Sequence, residues 1–292
     1  WRAVLLINLP LGAAVIVAAR ALPPGRRNAR SRLDVAGAAL ITATLCVLTY
    51  AVNAVSTAST TMIVAAVGAS VALLGMTVLH QRASPAPLLP RQIWHNATVV
   101  RGNLLVLVVG ACFQAPIWLF LTYVMQRSLD LSPAQAGLGF VPLTLVTAVV
   151  GVWAAPALLR HLSPFTLIGA GAAITAGGLF WPACASPTGF VATILGPSIV
   201  IGIGGGLLNT PLSIIATSGV DESAAGAVSG LLNTAKQLGG ALGLAALTPL
   251  THGYTEFGIA FAALGGLMSA VAVVAAITAI GRKGVDSHAR SR

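Results

Sequence analysis

Residues 225–247 read AGAVSGLLNTAKQLGGALGLAAL. As a helix rising 1.5 Å per residue, this stretch is about 35 Å long, enough to cross a hydrocarbon core of about 30 Å. A single base, Lys236, stands about eleven residues in. A lysine at that depth costs about 2.5–3.5 kcal/mol on insertion scales, so a charge placed there is a functional candidate by default. Gly226, Gly230, Asn233, Gln237 and Gly240 recur at spacings of four, three, four and three, which is one helical stripe. Two readings of that stripe stay open. Small residues and amides can bind a neighbouring helix, or they can form a polar, cavity-lining face with Lys236 at its edge.

Eight further stretches have the same length and apolar character: 3–22, 34–53, 61–80, 101–123, 137–158, 165–185, 190–211 and 258–280. The whole chain has 292 residues, of which 57% are hydrophobic and 8% charged. A soluble domain carries roughly 25% charged residues, and disordered chains are richer still, so both classes are excluded. No stretch alternates with period two, which excludes a membrane β-barrel. The expected fold is an all-α polytopic membrane protein of about nine transmembrane helices. Between the spans lie turn-formers, such as Pro23-Pro24-Gly25 and Ser84-Pro85-Ala86-Pro87.

The net charge of +10 is a topology signal rather than a nucleic-acid footprint. With residues 23–33 on the cytoplasmic side, thirteen bases fall on that side, among them Arg26, Arg27, Arg30, Arg32, Arg82, Arg91, Arg160, Arg282 and Lys283; the outer connections hold only Arg127. The C-terminus is then cytoplasmic. Arg outnumbers Lys fourteen to two amid abundant Ala, Gly and Val, a bias of GC-rich bacterial genomes. A bacterial cytoplasmic membrane is the expected location.

No residues are arranged for catalysis, for a metal or for another cofactor. Cys46, Cys112 and Cys184 are isolated in apolar surroundings, and the five histidines are scattered singly. All six acids fall at span ends, in loops or in the tail. Asp34 and the Asp221–Ser223 stretch are placed to cap helices, and Ser132-Pro133-Ala134-Gln135 reads as a capping box. The seventh span holds Gly202 and Gly206, which suit close helix packing, followed by Asn209. In the fourth, Pro116 predicts a kink beside Gln114 and Trp118, a pair suited to an apolar or aromatic ligand. Tyr123 and Trp94 read as interfacial anchors. Gln114, Trp118, Asn209, Asn233, Lys236 and Gln237 are the candidate pore-lining residues; Gly202, Gly206, Gly226, Gly230 and Gly240 are the candidate packing residues.

The order of motifs resembles the fourteen-helix drug:proton antiporters of the major facilitator superfamily. Trp1-Arg2 with Ile7-Asn8-Leu9-Pro10-Leu11-Gly12 resembles the WR…INxPxG motif of their sixth helix. Arg32-Leu33-Asp34-Val35-Ala36-Gly37 resembles the RxDxxG start of the seventh. Pro87-Leu88-Leu89-Pro90 with Ile93 to Asn96 is similar to their PLLPLxLFRN loop. Gln126 to Gly137 is similar to their QxxxGxSPxxAG connection. The longest match is Asp221 to Gly243, with Ser229-Gly230-Leu231-Leu232-Asn233-Thr234-Ala235-Lys236-Gln237-Leu238-Gly239-Gly240. Two positions depart from the pattern. Ala157 to Pro164 keeps only Arg160 where the family has a charged GRLxDRxGxR-type loop, and Lys236 replaces the arginine of NTARQLGG.

The resemblance implies that the spans are similar to helices six to fourteen, with five helices preceding Trp1. Residues 1–22 then end an N-terminal bundle. Residues 23–100 hold a cytoplasmic loop, two linker helices and a second loop; 101–280 form a C-terminal six-helix bundle, and 281–292 a tail. It further implies proton-coupled efflux of amphipathic, cationic or antibiotic-like compounds by alternating access, with small amphipathic substrates, protons and the lipid bilayer as partners and no nucleic acid. The coupling carboxylate is expected in the preceding part, because no carboxylate lies at mid-membrane depth here. The alternative is a non-transporting membrane subunit or scaffold.

Overall fold

A computed structural model describes residues 6, 8–21, 34–54, 58–184, 189–221, 224–254 and 257–290. The chain divides into two units, Trp1–Leu33 and Asp34–Arg292. In the first unit, α1 (Asn8–Ala19) has Pro10 in its opening turn, where a missing N–H costs nothing. The rest of the expected first span lies outside the described residues.

The second unit opens with a hairpin of α2 (Val35–Ala54) and α3 (Thr60–Ala83). Asp34 caps α2 as its position suggested: its Oδ1 accepts from the Gly37 N–H at 2.8 Å and lies 2.8 Å from His80 Nε2 on α3. The His80 bond, and after it the Gly37 N–H, hold the Asp34 carboxyl below its ordinary range. Further along, the Thr44 and Thr77 hydroxyls meet at 2.9 Å between the two helices. Polar side chains thus join the hairpin twice, once at its base and once within the apolar layer.

After the short α4 (Arg91–His95), the chain rises through α5 (Ala97–Phe113) and α6 (Pro116–Tyr123), which continues into a π-helical turn, Val124–Ser128. Then follow α7 (Pro133–Gly139), α8 (Val141–Val149), a second π-helical turn (Val150–Ala154) and α9 (Ala155–Leu158). The Ser132–Gln135 capping box starts α7 with both reciprocal bonds, at 2.9 and 3.3 Å. Next come α10 (Pro164–Cys184), a π-helical turn (Val191–Leu195) running into α11 (Gly196–Thr217), then α12 (Ala225–Leu247) and α13 (Phe257–Arg290). No strand occurs among the described residues.

Among the described residues, seven helical stretches are long and apolar enough to cross a membrane. With its 23 residues α12 is as long as these, but Asn233, Lys236 and Gln237 dilute its hydropathy and it is not among the seven. Two boundaries differ from the sequence expectation. α11 runs through Pro211 to Thr217, because a membrane helix tolerates a proline whose neighbours supply packing. α13 continues past Gly281 to Arg290, where a tail was expected. At the start of α12 the N-cap position is Ala224, which has no side-chain cap bond. The chain enters instead by a turn in which the Ala224 N–H donates to the Asp221 carbonyl at 2.9 Å; Glu222 and Ser223 lie outside the described residues.

Helix α11 sits at the centre. Of the residues in its apolar window 61% are buried, against 17% for Pro133–Leu158. Its glycines make that position possible, since each admits a different neighbour. Gly202 abuts Leu143 and Val146, and Gly206 abuts Thr147 and Val150; this fourfold step on both helices makes α8 and α11 parallel. Gly204 faces Gly171 and Thr175 of α10, and Gly205 faces the Phe113 ring. Phe120, Phe261, Leu179, Leu264 and Met268 belong to the buried core, with the two phenyl rings 6.3 Å apart edge-on.

Candidate functional site

The register of α5 against α12 sets the site. A side chain on Gly239 would collide with the Leu107 carbonyl, one on Gly243 with that of Ala111, and one on Gly240 with Gln114. Gly110 in turn lies against the Lys236 backbone. The paired steps, 107 to 111 against 239 to 243 and 110 to 114 against 236 to 240, mean parallel helices locked by glycine. That seam places Lys236 beside Gly110, one turn from Gln114.

The second element of the site is the break before Pro116. Proline has no N–H to donate, and Ala115 leaves the helical conformation with φ −136°. The carbonyl of Phe113, at the kink, accepts from Trp118 Nε1 at 2.9 Å. The indole is thereby fixed in place, and its ring packs 5.0 Å from that of Phe140. On α8 the widened turn Val150–Ala154 brings Gly151 and Val152 alongside. Such π-bulges recur at functional sites.

Between these helices lies a cavity of about 570 Å³, inside the range of drug-sized pockets. Apolar residues such as Val106, Phe113, Leu143 and Leu208 make most of its wall. Gln114, Trp118, Asn209 and Lys236, four of the six residues expected to line a pore, meet there. The other two do not. Asn233 and Gln237 are exposed on the open face of α12, and the Asn233 amide donates to its own helix at the Ser229 carbonyl, 3.2 Å away. Gly202, Gly206 and Gly240 occupy helix contacts, whereas a side chain on Gly226 or Gly230 would meet nothing within 4 Å. Of the stripe seen in the sequence, Gly240 reaches the packing edge, which runs through Gly239, Gly240 and Gly243, while Gly226 and Gly230 do not.

Thr144, Thr147, Thr210 and Ser213 complete the polar lining, and sequence reasoning missed them. Their signal was present: Thr144, Thr147 and Gly151 share one face of a helix, as do Asn209 and Ser213. Most of these hydroxyl protons are committed to backbone. Thr147 donates to the Leu143 carbonyl at 2.7 Å, Thr144 to that of Val141 at 3.0 Å, and Ser213 to that of Asn209 at 3.0 Å. The hydroxyls therefore turn acceptor lone pairs outward. Among the described residues, the lining contains one ionisable group, Lys236, and no carboxylate.

At the opposite end of α5, Asn96 joins two helix ends. Its Oδ1 accepts from the Thr98 and Val99 N–H groups at 3.0 and 3.3 Å, capping α5. Its Nδ2 donates to the Ser218 and Gly219 carbonyls at 3.2 and 3.1 Å, just past the end of α11. One helical face on, Asn103 is buried and donates to the Ala216 carbonyl at 3.1 Å.

Comparison with known proteins places this geometry. Residues 1–244 match the family model of the Major Facilitator Superfamily. The chain is 43% identical over 290 residues to the cephamycin export protein of Amycolatopsis lactamdurans, covering 94% of this chain and 60% of that protein. It is 34% identical over 260 residues to the puromycin resistance protein of Streptomyces alboniger, covering 87% of this chain and 52% of that one. To the lincomycin resistance protein of Streptomyces lincolnensis it is 30% identical over 294 residues, covering 95% and 60%. The chain thus spans between half and three-fifths of the length of these relatives.

Proposed function

We propose that this chain, which belongs to the major facilitator superfamily, forms the cavity-bearing part of an exporter for amphipathic antibiotics. The observation that carries the proposal is the convergence of Gln114, Trp118, Asn209 and Lys236 on one largely apolar cavity of drug size. Apolar walls with a few placed polar groups are what recognition of an amphipathic molecule requires. The export, puromycin-resistance and lincomycin-resistance names of the relatives point the same way.

Within this reading, residues 1–22 close one helical bundle, 23–100 carry the linker helices, 101–280 form the second bundle, and the helical extension of α13 to Arg290 lies in the cytoplasm. The protein sits in the bacterial cytoplasmic membrane with its C-terminus inside, in keeping with the charge asymmetry of its connections. Asn233 and Gln237, polar and exposed, suit a face turned to a second bundle or an aqueous path rather than to lipid. Rocking of the two bundles about that face would alternate access to the cavity. Exchange for protons is the proposed drive, and because no carboxylate lines the cavity, the proton carrier belongs outside its wall.

The complete gene product, expressed in a drug-sensitive bacterium, should lower the accumulation of puromycin, lincomycin or a cephamycin, and an uncoupler should restore it. Accumulation equal to that of the empty vector for all three, with the protein present in the membrane, would refute export and favour a non-transporting subunit.

A further inference from the structure

The cavity wall has an electrostatic sign. Lys236 is half-buried at its edge, and among the described residues its ammonium has neither hydrogen bond nor ion pair. The other polar lining groups, Gln114, Thr144, Thr147, Asn209, Thr210 and Ser213, are neutral. Two of these neutral groups are held in place by bonds that their donors make to the helix backbone. Asn209 Nδ2 donates to the Gly205 carbonyl at 3.3 Å, and Ser213 donates back to the Asn209 carbonyl at 3.0 Å. An ammonium on a low-dielectric wall without a counter-charge attracts an anion and repels a cation, and the walls weaken the screening that water would provide. The seam residues fix where that charge sits, because Lys236 cannot shift along α5 while its backbone is pressed on Gly110 and Gly240 on Gln114.

We infer that this cavity selects amphipathic anions, taking a carboxylate or comparable acidic group at Lys236 and an aromatic or apolar body against Trp118, Phe113 and Leu208. The inference rests on the reading of the cavity as a substrate site, and it departs from the cationic substrates that the family resemblance suggested. Gln114 is placed to donate to the same acidic group, one turn from Lys236 across the seam. The acceptor lone pairs of Thr144, Thr147 and Ser213 suit donor groups elsewhere on the ligand.

Three xanthene dyes of one ring system separate charge from shape: fluorescein as the anion, rhodamine B as the zwitterion and the ester rhodamine 6G as the cation. Binding of each to the purified complete gene product is measured in detergent by fluorescence anisotropy. Fluorescein and rhodamine B should bind more tightly than rhodamine 6G. The variant Lys236→Gln should weaken fluorescein about tenfold, equivalent to about 1.4 kcal/mol, and leave rhodamine 6G unchanged or tighter. Lys236→Arg should retain the anion preference, and a gel-filtration profile matching the parent shows that each variant is folded. The proposal is overturned if rhodamine 6G binds as tightly as fluorescein, if Lys236→Gln weakens all three dyes alike, or if none binds. Because binding is read without transport, anion-selective binding with no export would sink the exporter reading and leave this one standing. Export of rhodamine 6G in preference to fluorescein would do the reverse.

Discussion

Removing the Asn96 side chain tests the packing logic of the site most sharply, because that one amide serves two helices. In Asn96→Ala, α5 loses its N-cap, which is worth about 1 kcal/mol, within a range of about 0.5–2. The variant also loses the two bonds that Nδ2 donates to the Ser218 and Gly219 carbonyls. Such bonds contribute about 0.5–1.5 kcal/mol each, and the partial exposure of this pair sets the lower end, about 1 kcal/mol for both. The total is about 2 kcal/mol. In a protein of this size or larger, a melting temperature moves by about 2–4 °C per kcal/mol or less, so the expected fall is at most roughly 4–8 °C. Cys112 supplies the assay. It lies on α5, is fully buried, and becomes reactive toward a thiol-specific fluorophore only when the helices separate. Replacing the exposed Cys46 and Cys184 with Ser leaves it as the reporter within this chain. The variant Asn96→Ser keeps the cap but not the donors, and should lose about half as much. If Asn96→Ala melts within 1 °C of the parent, the amide joins nothing that matters and the reasoning fails.

Three further outcomes follow from the same geometry. Gly243→Val should push α12 off α5, because its side chain would collide with the Ala111 backbone rather than with a movable side chain; overpacking of this kind costs about 1–3 kcal/mol, read as a lower melting temperature, whereas Gly230→Ala, on the open face, should be silent. Trp118→Ala should reduce transport severalfold while Trp153→Ala, exposed outside the cavity, leaves it unchanged; equal effects of the two in a vesicle uptake assay would count against the site. The third concerns acid. Because His80 and Gly37 hold the Asp34 carboxyl below its ordinary 3.8, the carboxylate stabilises the α2–α3 hairpin above that pH, and this contribution fades as pH falls through the depressed value. His80→Ala should therefore lower stability at neutral pH and flatten the acid response, a comparison made by melting from about pH 6 to about pH 3.

Much of this arrangement can be read from the residues themselves. Asp34 and the Ser132–Gln135 box mark helix starts because their chemistry is local, acting within one turn. The apolar stretches mark spans because lipid imposes their length and composition. Gln114, Trp118, Asn209 and Lys236 stand out because polar groups in apolar helices are rare. Which neighbour each face meets is another matter, since it depends on rotation about the helix axis. The stripe from Gly226 to Gln237 has the right period for a contact, yet the contact is made by Gly239, Gly240 and Gly243, one step around the helix. Asn233 and Gln237 consequently miss the cavity. Pro211 reads as a stop in the sequence but lies within α11, where packing against neighbours sustains the helix on both sides. The role of Asn96 was hidden for the same reason, as its partners Ser218 and Gly219 are more than a hundred residues away.

The proposed seat of the exported molecule is the space between α5, α8, α11 and α12. Thr144 and Leu145 test it directly, being consecutive on α8 and both exposed, with only Thr144 lining the cavity. Single cysteines are placed at each in a background without Cys46, Cys112 and Cys184, in the complete gene product, and the rate of maleimide labelling is followed as an exported compound is added. Labelling of Thr144→Cys should slow as the cavity fills, while labelling of Leu145→Cys stays constant. Equal rates at both positions, with and without the compound, would contradict this placement.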